Sequence, residues 1–446
     1  MIGMGSASRI DFLEIDWPDG VFQSELQLAS GPHRIGEIQR QISSCPLVFT
    51  RAHDGDDFEF ITDVLGVGGM GAMVSPGVTA PSRPLESLLL HEAPAELRLA
   101  EPMEEACYLD SIRVLAYDVP EDCELVLDER LATAAPEATS EPMVIAEVFS
   151  PSAARTNQLP DVLEAVLHSD LLAVDPGPID PRFIGLLEGD SLLELEFSET
   201  IDRCDVLLAE GWVEYPYSQT VFAAWQADVQ YEAPTLEART SSGEWVTVAE
   251  SFGYPAGMPR AMALPLPQLP VGCRALRLRS NQEIYWDRIR LGVRLPISLS
   301  SLEVPMQSAA LGFCGFPRRS TGPQRQPQYD YGRRDQFGDV RHQAGFYTGF
   351  GPCLELVSRT DDACAIIGPG EEIRFRFDTT SKSLGNPAPG MRRHWVLQLA
   401  GWCKDMDLFT HQGERLEPLP SRNGLGPDPI AQALMQRYNH RFAAGR

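Results

Sequence analysis

Hydrophobic and polar residues alternate over short stretches along most of this chain, with the two-residue period of a strand that buries one face. Leu193-Glu194-Leu195-Glu196-Phe197 and Ile373-Arg374-Phe375-Arg376-Phe377 are the plainest cases. Leu47-Val48-Phe49 and Phe58-Glu59-Phe60-Ile61 flank His53-Asp54-Gly55-Asp56, which predicts a hairpin closed at an Asp-Gly turn. Leu236-Glu237-Ala238-Arg239 and Trp245-Val246-Thr247-Val248 repeat that design around Ser241-Ser242-Gly243-Glu244. Prolines (36) and glycines (37) run through the whole chain and keep such segments brief. Two segments have helical spacing instead. Leu159, Val162, Leu163, Val166 and Leu167 share one face, with Pro160 in the first turn, and Ile430, Ala433, Leu434 and Tyr438 share another behind an Asp428 N-cap and Pro429.

Two phrases recur. Tyr108-Leu109-Asp110-Ser111-Ile112-Arg113-Val114 is echoed by Tyr285-Trp286-Asp287-Arg288-Ile289-Arg290-Leu291, and its apolar spacing fits a bent or bulged strand. Val206-Leu207-Leu208-Ala209-Glu210-Gly211-Trp212 is echoed by Val396-Leu397-Gln398-Leu399-Ala400-Gly401-Trp402, each following one of the alternating strands. Duplicated sandwich-like units are the economical explanation. A stretch rich in Ala, Pro, Glu and Thr, 132–142, reads as a linker, and 316–335, rich in Arg, Gln, Pro and Gly, reads as a solvated loop.

The chain has 446 residues, too many for one ordinary core, and 43% of them are hydrophobic, as in folded globular protein. A formal net charge of −26 speaks against nucleic acid and against anionic membrane surfaces, both of which need a basic face. A membrane span would need about 20 consecutive apolar residues, and the sequence has no such run. The start, Met1-Ile2-Gly3-Met4-Gly5-Ser6, has no pattern of a secretory signal. Nine cysteines are scattered without a C-x-x-C, which points to buried thiols rather than zinc; Cys353 with Cys364 and Cys107 with Cys123 are the pairs to test for a disulfide.

Few motifs carry chemistry. Gly66-Val67-Gly68-Gly69-Met70-Gly71 fits G-x-G-x-x-G, with Glu86 beyond it, but Pro76, Pro81 and Pro84 forbid the helix that would aim N–H groups at a pyrophosphate, so the reading is a closely packed Gly loop. Acidic pairs are frequent, yet none follows the calcium pattern D-x-D-x-D-G, and Asp405 with Asp407 after Gly401-Trp402 is the best metal or ligand candidate among them. The eight histidines are dispersed, with no H-E-x-x-H, and no G-x-S-x-G is present. Trp212, Tyr215 and Tyr217 beside a strand end could stack on sugar rings, against a plainer role in core packing.

Ile10-Asp11-Phe12-Leu13-Glu14-Ile15-Asp16-Trp17-Pro18-Asp19-Gly20 resembles the V-D-R-V-E-V-x-W-P-x-G signature of the ASPIC/UnbV segment, which follows the FG-GAP β-propeller in the cartilage-acidic-protein-like family. Ser44–Phe49, Phe60–Gly69, Ile284–Asp287 and Gly401–Asp405 look like the C-terminal extension of bacterial members of that family. The resemblance implies a secreted or surface-associated protein without an established catalytic centre. The family's propeller, with its calcium loops, has no counterpart in this sequence, so the resemblance implies either a fragment of a longer gene or a chain whose expected partner is a separately encoded FG-GAP propeller.

The expectation is therefore a mostly β, multidomain protein of β-sandwich or jelly-roll-like (galactose-binding-like) units with a few short helices. Its divisions are a remnant ASPIC/UnbV segment at 1–40, a β domain at 41–131, a linker with a short helix at 132–184, a sandwich at 185–296 and a second sandwich with a C-terminal helix at 297–446. The expected function is non-catalytic recognition or scaffolding through a protein partner, with no cofactor, no metal and no catalytic residue. A carbohydrate-binding module using Trp212, Tyr215, Tyr217, Asp405 and Asp407 is the alternative, and a hydrolase with an unrecognised carboxylate site the second alternative.

Overall fold

The structure is a computed structural model that describes residues 3–16, 22–36, 45–51, 57–70, 73–75, 78–79, 85–338, 340–406, 410–422, 424 and 426–445. The protein is mostly β, built from several separate sheets. Among the described residues there are four α-helices, Glu164–Leu167, Ser218–Gln226, Leu354–Val357 and Pro429–Tyr438, and none is long and apolar enough to cross a membrane.

Two β-sandwiches account for most strands. In the first, a five-stranded sheet ordered Glu124–Val126, Met143–Phe149, Ile284–Arg294, Val206–Val213, Arg260–Pro265 faces one ordered Ala153–Thr156, Leu186–Glu196, Ala275–Gln282, Thr235–Arg239, Trp245–Ala249. The alternating residues do what their period predicts: Leu193 and Leu195 meet Leu276 and Leu278 in register, and all four join Leu207, Ile289 and Leu291 in one core.

The second sandwich is discontinuous in sequence. Strand Glu105–Pro120 lies between Ser301–Glu303 and Met391–Asp405, with Leu85–Leu90 beyond, while Met306–Phe313, Glu371–Phe377, Glu96–Glu101, Leu47–Arg51 and Glu59–Asp63 form the facing sheet. The stretches 41–131 and 297–446, expected as separate units, thus share both sheets. A central strand needs hydrogen-bonded neighbours on both edges, and Glu105–Pro120 finds Met391–Asp405 on one and Ser301–Glu303 and Ala365–Ile367 on the other, all beyond the inserted sandwich in sequence.

The two sandwiches have the same strand order, circularly permuted. Reading the inserted one from Met143–Phe149 to Ile284–Arg294 gives nine positions. In the discontinuous one, the first four are filled by Ser301–Glu303, Met306–Phe313, Glu371–Phe377 and Met391–Asp405. Leu47–Arg51, Glu59–Asp63, Leu85–Leu90, Glu96–Glu101 and Glu105–Pro120 fill the last five. The recurring phrases sit at matching points and pair with each other. Tyr108 opposes Trp402 and Leu109 opposes Gly401, and Tyr285 opposes Trp212 and Trp286 opposes Gly211. The next residue, Asp110 or Asp287, is left out of the ladder in a β-bulge.

The glycine is required at both crossings. A Cβ on Gly401 would lie 2.6 Å from the Tyr108 carbonyl oxygen, and one on Gly211 would lie 2.2 Å from that of Tyr285. The bulged aspartates turn inward and act as caps. Asp110 accepts the backbone N–H groups of Asp361 and Asp362, each at 2.9 Å, and Asp287 accepts that of Leu171 at 3.2 Å.

Three local expectations change. Residues 316–335 are no solvated loop: Phe316–Thr321 and Pro327–Asp335 pair as a hairpin whose Tyr329 and Tyr331 pack on Phe60, Phe49 and Phe58. The stretch 132–142 is held to the protein, because fully buried Arg130 pairs with Asp128 and donates to the carbonyls of Phe252 and Pro136. The helix expected over 159–167 forms only at Glu164–Leu167, since a Thr156–Leu159 turn uses the preceding backbone and Asp161 accepts the Leu163 N–H. The Gly loop packs closely, as expected: a Cβ on Gly68 would meet the Gly401 carbonyl oxygen at 2.6 Å. Its last glycine, Gly71, and the turn 53–56 lie outside the described residues.

If the two crossings are equivalent, Gly211→Ala and Gly401→Ala should each lower the free energy of unfolding by about 1–3 kcal/mol, because the methyl must displace backbone. Gly189→Ala, whose methyl meets nothing within 4 Å, should change it by less than about 0.5 kcal/mol. Urea titrations followed by tryptophan fluorescence measure all three.

Candidate functional site

Polar and titratable side chains gather where the two sandwiches meet. Arg260, at the start of its strand in the inserted sandwich, is fully buried and reaches Asp63 and Glu86 of the other sandwich at 3.1 Å each, and Glu129 at 3.6 Å. One guanidinium among three carboxylates cannot neutralise all of them. Burial, opposed by Arg260 and reinforced by Glu86, accordingly pushes the Glu129 carboxyl up to about 8.

The tip of the 316–335 hairpin forms the next layer. Gln324 donates to the carbonyl of Ala173 at 2.6 Å and accepts its N–H at 2.9 Å, while its own carbonyl accepts the Trp212 indole N–H at 2.9 Å. Arg325 pairs with Glu283 at 3.0 Å and with Glu214 at 3.5 Å. Gln324 and Arg325 both take left-handed backbone, φ 51° and 58°, and these contacts hold them there. Burial raises both carboxyls, with Arg325 lowering each, and Glu214 reaches about 7.

A third group lies on the strand pair Glu105–Pro120 and Met391–Asp405. Glu105 opposes Asp405 and Cys107 opposes Cys403 in register, so the i, i+2 spacing puts all four on one face of the ladder. Cys45, just before strand Leu47–Arg51, joins them: its Sγ, the Cys403 Sγ and a Glu105 oxygen all lie within 4.8 Å of one another. All three residues are buried. Glu101 and Glu105 are pushed well above the usual carboxylate range by burial and by each other's neighbouring acids.

These layers show where the sequence candidates fall. Trp212 is 2% exposed, stacked on Tyr285 at 5.5 Å, so its ring faces are inside the protein. Tyr215 and Tyr217 are partly exposed at the junction. The Tyr215 hydroxyl is raised well above its ordinary value by burial, then by Tyr254 and Cys45. The Tyr217 hydroxyl is raised likewise by burial, then by Glu214 and Asp405. Asp405, distant in sequence, thus lies within electrostatic reach of the Tyr217 hydroxyl. Asp407 lies outside the described residues. None of the nine cysteines is in a disulfide, so neither Cys353 with Cys364 nor Cys107 with Cys123 is bridged. Sequence reasoning missed Cys45, Glu105, Cys107 and Cys403, although Glu105-Ala106-Cys107 and Cys403-Lys404-Asp405 each carry the two-residue spacing of a shared strand face.

No protein-family model matches this chain, and no curated protein matches it.

The raised acids set a pH dependence. Between its ordinary value of 4.5 and about 7, folded Glu214 holds a proton that the unfolded chain has released, so its contribution to stability falls as pH rises through that window. The melting temperature of the wild type should drop from pH 5 to pH 8, and Glu214→Gln, which cannot ionise, should drop less; a scan of melting temperature against pH for both proteins decides it.

Proposed function

We propose that this chain is a non-catalytic recognition protein that docks on a protein partner through its N-terminal ribbon. Strands Arg9–Asp16 and Phe22–Ala29 pair only with each other among the described residues. A lone two-stranded ribbon is marginal in water and gains stability from a third strand or an apolar surface. Here the one observation that carries the reading is the apolar pair across that ribbon: Phe12 opposes Leu26 in register, and they are 61% and 70% exposed.

The phrase resembling the ASPIC/UnbV signature begins in this same ribbon, at Ile10. That resemblance makes a separately encoded FG-GAP propeller the partner of choice. The net charge of −26 favours partners with basic docking faces and speeds their encounter at low salt. For the carbohydrate alternative, the burial of Trp212 removes its main stacking surface and leaves Trp225, 48% exposed on helix Ser218–Gln226, as the accessible indole there.

The test is binding of a purified FG-GAP propeller to wild type and to Phe12→Ser/Leu26→Ser by titration calorimetry. Removal of an apolar anchor costs about 2 kcal/mol or more, so binding should weaken by at least about tenfold. The melting temperature should stay unchanged, because both side chains are exposed. Equal affinity of the two proteins for the propeller, or no affinity in either, would overturn the reading, as would glycan binding that is lost in Trp225→Ala.

A further inference from the structure

The thiol and carboxylate group on the ladder face has a geometry that internal packing does not explain. Cys45 stands just before strand Leu47–Arg51 of one sheet of the discontinuous sandwich, and Glu105 and Cys403 lie on adjacent strands of the other. Their ligand atoms converge to within 4.8 Å in an interior where the three residues are 4%, 1% and 3% exposed. The Cys107 thiol, opposite Cys403, is in hydrogen-bonding contact with the Cys403 thiol, as is that of Cys45. A tetrahedral zinc ion with sulfur ligands at about 2.3 Å and oxygen at about 2.0 Å sets ligand atoms about 3.5–3.8 Å apart. The Cys45, Glu105 and Cys403 atoms, within 4.8 Å of one another, need move by only about 1 Å to reach that spacing. Cys107, which meets Cys403 and lies outside that group of three, must turn its thiol further to complete the shell.

Glu105 supplies the independent sign. No N–H or hydroxyl group donates to either of its oxygens, which can be bonded only through a proton shared with the Glu101 and Asp405 carboxyls. Its close neighbours are acceptors like itself, the carboxyls of Glu101 and Asp405. A buried carboxylate without a donor costs several kcal/mol, so these groups coexist by sharing protons or by holding a cation. Beside three thiols, the cation that fits is a borderline-soft divalent ion, because calcium and magnesium prefer all-oxygen shells.

We propose that Cys45, Cys107, Cys403 and Glu105 bind one zinc ion that ties the strand opening at Leu47 to the Glu105–Pro120 and Met391–Asp405 ladder. Four protein ligands leave no open position, so the ion is structural. It clamps the sheets beside the junction where Tyr215 of the inserted sandwich approaches: a Cβ on Gly66 would touch the Cys45 Sγ at 3.3 Å and the Tyr215 hydroxyl at 3.7 Å.

The experiment uses the full chain, stripped with a chelator under reducing conditions and titrated with Co²⁺ and then Zn²⁺. The expected result is one Co²⁺ per chain, with sulfur-to-cobalt charge transfer and tetrahedral d–d absorption, displaced by Zn²⁺ and accompanied by a higher melting temperature. Cys45→Ser and Cys403→Ser should weaken uptake by more than about 100-fold, and Cys123→Ser, a buried thiol elsewhere, should leave it unchanged. Because a serine variant can fail to fold, Glu105→Gln, close in shape, gives the second reading: native circular dichroism with affinity reduced by about tenfold or more. Absence of Co²⁺ uptake by the folded wild type, uptake that persists in both serine variants, or unchanged affinity in folded Glu105→Gln would overturn the proposal.

Discussion

The fold depends on a crossing of two strands that leaves no room for a side chain. At Gly211 and again at Gly401, the backbone of the Gly-Trp strand lies so close to the carbonyl of Tyr285 or Tyr108 that a methyl group would overlap it. The partner strand responds by bulging at the following aspartate. A bulge re-aims one side chain and sharpens the local twist. In both sandwiches it aims a carboxylate into a neighbouring loop, where it collects backbone N–H groups that would otherwise be buried without acceptors. Burial raises both carboxyls, Asp110 to about 6, while the hydrogen bonds from those loops pull the other way.

The same crossing in two sandwiches of like strand order accounts for the permutation. The inserted sandwich contributes its nine strand positions in sequence, whereas the other draws five from before the insert and four from after it. A tandem array read with its frame shifted by half a unit has this form. Closing the split unit requires chain segments far apart in sequence to meet, at a cost in loop-closure entropy that grows only slowly with length. The junction offsets that cost with directional contacts, since Arg260 of the inserted unit reaches Asp63 and Glu86 of the other and Gln324 brings the hairpin tip against Ala173 and Trp212. Buried ion clusters add little net stability compared with apolar packing, but losing one partner is expensive. They suit an interface that must find one register.

Periodicity and repetition were legible because both are local properties of the chain. The alternation at Leu193–Phe197 and Ile373–Phe377 marked core strands, and the recurring Tyr-x-Asp and Gly-Trp phrases marked duplicated units, although not that the two phrases pair with each other. What was not legible is what depends on partners distant in sequence. Arg, Gln and Pro in 316–335 look like loop composition, yet Tyr329 and Tyr331 find an aromatic floor supplied by Phe49, Phe58 and Phe60. Helix Ser218–Gln226 was missed because its apolar residues, at the end of an aromatic-rich run, carry no clean stripe and Tyr217 offers no side-chain cap. The thiol and carboxylate group escaped for a similar reason: spacing rules for metal sites look for ligands on one short segment, and Cys45, Glu105 and Cys403 meet only after three strands have assembled.

Repetition also separates architecture from function. Asp110 and Asp287 recur in the same bulge and do the same capping work, so their burial and raised pKa follow from the fold and need no catalytic explanation. The features present once are different in kind. The N-terminal ribbon with Phe12 and Leu26, the hairpin carrying Gln324 and Arg325, and the Cys45, Glu105 and Cys403 group have no counterpart at the equivalent place in the other sandwich. The formal charge of −26 needs the same distinction, because it counts Glu101, Glu105, Glu129, Glu214 and Glu371 as fully ionised, whereas burial raises every one of them. The acidity available to attract a partner therefore resides in the exposed carboxylates, and the interior acids act by setting how stability responds to pH.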